Sequence, residues 1–100
     1  MAATLLTDSQ ITEQLRSLPG WERHGDSIAK TYTFDSYLSG VAFAAAAGTV
    51  AEGLDHHPEM TISWRKVTVR FSTHDAGDKI TSRDFRAAEA IEALGYPKVK

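Results

Sequence analysis

The sequence predicts an α+β fold, a four-stranded antiparallel sheet with three helices packed on one face, in the order α-β-β-α-β-β-α. Three observations predict it. Two pairs of short alternating runs, each pair joined by only a few residues, read as hairpins. Three longer segments place apolar residues at helical spacing, and two of them begin with a reciprocal cap. No repeat, low-complexity tract or linker interrupts the chain, so residues 1–100 are expected to form a single domain.

The first helix opens with a capping box at Thr7 and Gln10, in which hydroxyl and amide each satisfy an orphan N–H. Leu6 and Ile11 fall at the staple positions around it, Ile11, Leu15 and Leu18 make its apolar face, and Pro19-Gly20 ends it. Trp21 to Arg23 and Ile28 to Thr33 form the first hairpin around a turn at His24 to Asp26. Asp35 is the expected N-cap of a second helix running to about Leu54. That helix carries two apolar rows: Tyr37, Val41, Ala44, Gly48 and Ala51, and then Phe43, Ala47, Val50 and Leu54. A helix apolar on both sides needs cover on both. One side faces the sheet, and the Ala/Gly side suits another helix, so self-association is expected.

Met60 to Trp64 and Val67 to Thr73 read as the second hairpin, turning at Arg65-Lys66. With Trp64 opposite Val67, Ile62 lies opposite Val69 and Met60 opposite Phe71, all on one face. Continuing that ladder outward places His57 opposite His74. Asp75 to Lys79 is a polar loop. Thr81 then caps the last helix, with Asp84 reaching back, Phe85, Ala88, Ile91 and Leu94 facing inward, Gly95 at C′ and Pro97 beyond.

Composition narrows the function classes. A net charge of −2 offers no electrostatic reason for nucleic-acid binding. The lack of cysteine excludes disulfide and thiolate chemistry. The N-terminus lacks a basic, then apolar, leader pattern. The uncharged stretch from Ser36 to Ala51 is short and rich in small residues for a membrane span. A cytoplasmic location is expected.

The chemistry concentrates between Glu52 and His74, which hold three of the four histidines. Glu52 and His56 are four apart at the end of the second helix, which suggests a pair, and Pro58 keeps His57 extended. His24 reads as a surface residue. An adjacent His56-His57 pair with His74 across the ladder points to acid–base work, because imidazoles both give and take protons near neutral pH. A metal site built from His57, His74 and Glu52 or Asp55 is the weaker alternative, since adjacent histidines are not the usual ligand spacing. Asp84 is either a cap alone or a cap that also orients His74. Ser72 adjoins the site but lacks a nucleophile elbow, and no phosphate-binding glycine loop is present.

The segment Glu52-x-x-x-His56-His57-Pro58, followed by Trp64, His74 and Asp84 at these spacings, resembles the pterin-4a-carbinolamine dehydratase family. Gly20-Trp21, Phe34 and Leu54-Asp55 agree with it, whereas Met60 stands where members often carry Trp. The resemblance implies dehydration of 4a-hydroxytetrahydropterin to quinonoid dihydropterin, recycling the tetrahydrobiopterin cofactor of aromatic amino acid hydroxylases. It implies His56, His57 and His74 as acid and base; Glu52 and Asp84 are the candidate orienting groups. Substrate binding falls to Asp55, His56, His57, Ser72, Thr73, His74 and Asp75, with neither metal nor other cofactor. The family is also known as the dimerisation cofactor of a homeodomain transcription factor. A homodimer or homotetramer through helix 36–54 or a sheet edge is therefore expected, and a protein-interaction module using that helix is the alternative function.

Overall fold

The computed structural model describes residues 4–96. Three helices and four strands follow in the expected order: α1 (Asp8–Leu15), β1 (Glu22–His24), β2 (Ser27–Thr33), α2 (Tyr37–Leu54), β3 (Glu59–Ile62), β4 (Lys66–Phe71) and α3 (Ser82–Glu92). A single 3-10 turn, η1 (His74–Ala76), sits between β4 and α3. The strands form one antiparallel sheet in the order β1-β2-β4-β3. Pro97, the expected helix stop, lies outside the described residues; Gly95 just before it has φ +74 and donates its N–H to Glu92 O.

One face of the sheet holds the core. Ile28 and Tyr32 of β2 and Val67, Val69 and Phe71 of β4 are buried there with Ile11, Trp21, Phe43, Ala47, Phe85 and Ile91. Aliphatic and aromatic burial of this kind is worth roughly 1.5–3 kcal/mol per large side chain. The capping box at Thr7 and Gln10 forms as expected, although regular helix stops at Leu15 and Leu18 joins the core from a following turn.

The N-cap of α2 is Ser36, not Asp35. The Ser36 hydroxyl accepts from Ser39 N at 3.1 Å, while the Asp35 carboxylate receives only the Ser39 hydroxyl. The buried row is Gly40, Phe43, Ala44, Ala47 and Ala51. A Cβ on Gly40 would stand 3.3 Å from Val67 Cγ2, so the glycine lets the helix lie close on β4. Tyr37 and Leu54, assigned to apolar rows, are exposed, as is Leu38 at 74 %. The helix therefore presents an uncovered apolar flank in the monomer.

The second hairpin turns one residue earlier than expected, at Trp64-Arg65 rather than Arg65-Lys66. Ser63 N donates to Lys66 O at 2.8 Å, and the observed pairs are Met60 with Val69 and Ile62 with Val67. Phe34 decides the position: its N–H donates to Arg65 O at 2.8 Å, and Arg65 Nε donates back to Phe34 O. A two-residue slip keeps each side chain on its expected face. It nevertheless removes Trp64 from the apolar face to an exposed tip and ends the facing of His57 and His74, because the observed register continued outward sets His57 against Ser72.

The last helix is fastened at both ends. At its start the Thr81–Asp84 capping box is complete. Near its end, Glu92 Oε2 accepts from Lys30 Nζ at 2.8 Å, Trp21 Nε1 at 3.1 Å and the Tyr32 hydroxyl. Partial burial alone would raise the Glu92 pKa, but these donors and the Lys30 charge outweigh it and hold the carboxyl below its ordinary range. Burial, reinforced by Glu92, pushes the Tyr32 phenol far up. The clasp fixes the helix that carries Asp84.

Candidate active site

Each histidine of the trio has its own carboxylate, and none of the three pairings is one that the sequence suggested. Helical spacing suggested Glu52 with His56. Instead Asp55 caps α2 in the left-handed region at φ 52, and the chain leaves the helical path before His56. His56 turns inward, is 7 % exposed, and stacks its ring on Phe71 at 5.5 Å between centroids. His57 turns outward, and its Nε2 donates to Glu52 Oε1 at 2.7 Å.

Asp84 is both cap and orienting group, but for His56 rather than His74. Fully buried, its Oδ1 receives His56 Nε2–H at 2.6 Å, and its Oδ2 receives Thr81 N–H at 2.8 Å and the Thr73 hydroxyl at 3.0 Å. Because the Thr73 proton goes to Asp84, Thr81 Oγ1 donates the 2.5 Å bond to Thr73 Oγ1 and accepts Arg83 N–H in turn. An acceptor-only carboxylate fixes a proton on His56 Nε2, so that in the neutral ring Nδ1 is the lone-pair nitrogen. Every buried side-chain polar atom among the described residues is satisfied.

The remaining sequence candidates border this hub. Thr73 is 1 % exposed with its hydroxyl committed inside the network, so it supports the site rather than offering a contact surface. Directly after it, His74 enters η1 and points to solvent, with Nδ1 donating to Asp78 Oδ1 at 3.0 Å. That hydrogen bond, then the Asp78 charge, raises the His74 pKa. Asp78, at φ 61, lies four residues after His74, a spacing that could have flagged the pair. Ser72 is half-buried, Asp55 and Asp75 are exposed, and His24 lies on the surface near Glu22. Arg83 had no signal in the sequence: Nη2 donates to Asp55 O at 2.8 Å, and Nη1 lies 3.6 Å from Asp75 Oδ2. Among the described residues no three His, Asp or Glu side chains converge as a metal-holding group, so His57, His74 and Glu52 or Asp55 do not meet as one.

The class the layout defines is a small α+β domain in which three histidines each hydrogen-bond a carboxylate, one of these pairs being buried. The family described as Pterin 4 alpha carbinolamine dehydratase matches residues 4–94, and the chain belongs to this family of hydro-lyases. Similar chains include one from Natronomonas pharaonis, 54 % identical over 89 residues that cover 89 % of this chain and 94 % of the relative. Another, from Mycobacteroides abscessus, is 47 % identical and covers 88 % and 93 %. Both are provisionally named pterin-4-alpha-carbinolamine dehydratase. The crystal structure of a transcriptional coactivator/pterin dehydratase from Brucella melitensis superposes with a TM-score of 0.83 at 32 % identity, over 91 % of this chain and 98 % of that one.

Proposed function

We propose that the chain dehydrates 4a-hydroxytetrahydropterin to quinonoid dihydropterin and water by histidine acid–base catalysis, in the recycling of tetrahydrobiopterin for aromatic amino acid hydroxylases. The observation that carries this is the His56–Asp84 pair, a buried imidazole with a set tautomer at the meeting point of α2, β4 and α3. The C4a hydroxyl departs as water once protonated, and N5 gives up its proton as the C=N bond forms. His56 Nδ1 is suited to accept a proton. His74, held toward its protonated form by Asp78, is suited to give one. His57, oriented by Glu52, supplies a third group at the rim. Asp55, Ser72 and Asp75 are the polar groups beside them for holding the pterin. A dehydration assay on 4a-hydroxytetrahydropterin generated in situ, with and without EDTA, tests this. Turnover well above the spontaneous rate and insensitive to EDTA is expected; a rate equal to the spontaneous one refutes it.

The exposed flank of α2, including Tyr37 and Leu38, supports assembly into a homodimer or homotetramer through that helix. Sedimentation at micromolar concentration should show a species larger than monomer, and monomer alone would refute it.

A further inference from the structure

The geometry points to Arg83 as a positioning residue that sets the two histidine-bearing segments relative to each other, a role that rests on the dehydratase function proposed above. Arg83 occupies the second position of α3, where a cation opposes the helix dipole. Its head group lies elsewhere. Nη2 donates to Asp55 O at 2.8 Å, at the C-terminus of α2, whose own last turn contains no basic residue. There the positive charge meets the negative end of a helix and takes up a free carbonyl.

That carbonyl belongs to the residue that decides where the histidines go. Asp55 is left-handed at φ 52, a region that few residues other than glycine, asparagine and aspartate adopt. The N–H groups of Asp55 and His56 both bond back into the helix, at Glu52 O and Ala51 O. The Asp55 carbonyl then faces outward and Arg83 holds it. The turn so fixed sends His56 inward and His57 outward. Nη1 of the same guanidinium lies 3.6 Å from the carboxylate of Asp75, the residue after His74. Arg83 holds the backbone of one segment and a side chain of the other, while its neighbour Asp84 holds the His56 ring and Thr73. Two consecutive α3 residues thus align both halves of the site.

Kinetics and histidine ring spectra of the full chain carrying Arg83→Gln or Arg83→Lys test this. Loss of about an ångström of registration lowers kcat steeply, so Arg83→Gln is expected to reduce kcat by about 10–100-fold, with KM changed less than about threefold. Arg83→Lys, which returns the charge but not the fork, should recover part of the loss. In the unliganded protein the ¹⁵N ring signals of His56, His57 and His74 should move in Arg83→Gln, while those of His24 stay. Folded variants with wild-type kcat and unmoved ring signals, or with only a lowered Tm, overturn the assignment. If Arg83→Gln does not fold, a wild-type kcat in Arg83→Lys does the same. A wild-type protein with no dehydratase activity would refute the proposed function, and the ring signals would still decide whether Arg83 positions the histidines.

Discussion

Asp84→Asn is expected to leave the protein folded and to lower kcat for dehydration by roughly 10²–10⁴-fold. The amide oxygen can replace Oδ2, accepting Thr81 N–H and the Thr73 hydroxyl as the carboxylate does. The amide nitrogen then occupies the Oδ1 position, 2.6 Å from His56 Nε2. Two N–H groups cannot share that bond, so His56 must present a bare Nε2 and carry its proton on Nδ1. The nitrogen left for the substrate changes from acceptor to donor, and the base is lost without a cavity or a broken cap. The stability cost should be about 1–2 kcal/mol. Asp84→Ala is harsher: it leaves Thr81 N–H, the Thr73 hydroxyl and His56 Nε2–H buried without an acceptor. About 3–5 kcal/mol should go, a large share of a small domain's 5–15 kcal/mol. Urea unfolding together with the dehydration assay separates the two variants. An Asn variant that turns over within about threefold of wild type would remove His56 from the proton-transfer step.

The parts of this fold legible in the sequence are those that depend on neighbours in sequence. The capping boxes at Thr7 and Thr81 involve residues three apart, and both form. The faces of the paired residues in the second hairpin, Met60, Ile62, Val67 and Val69, are likewise as expected, because alternation survives any even slip, and only Trp64 leaves its face for the turn. What fails is the choice among equivalent local solutions. Asp35 and Ser36 are both good caps, and only the direction of the Ser36 hydroxyl separates them. The hairpin turn is set by Phe34, some thirty residues away. In the site, the residue types were legible and the pairings were not. Helical spacing pairs Glu52 with His56, but the helix ends in a left-handed Asp55, so the carboxylate meets His57 instead. Asp84 was visible as a cap, but its second oxygen reaches His56 because η1 turns His74 away toward Asp78. Long-range side-chain geometry of this kind leaves no trace in spacing, and Arg83, whose partners lie 28 and 8 residues away, left none.

His57→Ala and His74→Ala are expected to behave in the opposite way to Asp84→Ala, with activity falling and stability unmoved. Both imidazoles are solvent-exposed, with side-chain accessibilities of 59 % and 94 %. Ion pairs this exposed contribute little to stability, so Tm should move by no more than a few degrees. If each group handles a proton in the dehydration, its loss should lower kcat by roughly 10²–10⁴-fold. The His74 variant carries a further test. Asp78 raises the pKa of His74 by hydrogen bond and charge. An acid with a raised pKa stays protonated to higher pH, so the rate should fall as pH climbs through that raised value. Asp78→Asn should shift this alkaline limb toward lower pH, and His74→Ala should abolish it. The linked stability has the same sign, present below the ordinary histidine range and lost as pH rises. A limb that ignores Asp78→Asn would assign the protonation of the C4a hydroxyl to His57 or His56, and wild-type turnover in His74→Ala would exclude His74 from the chemistry altogether.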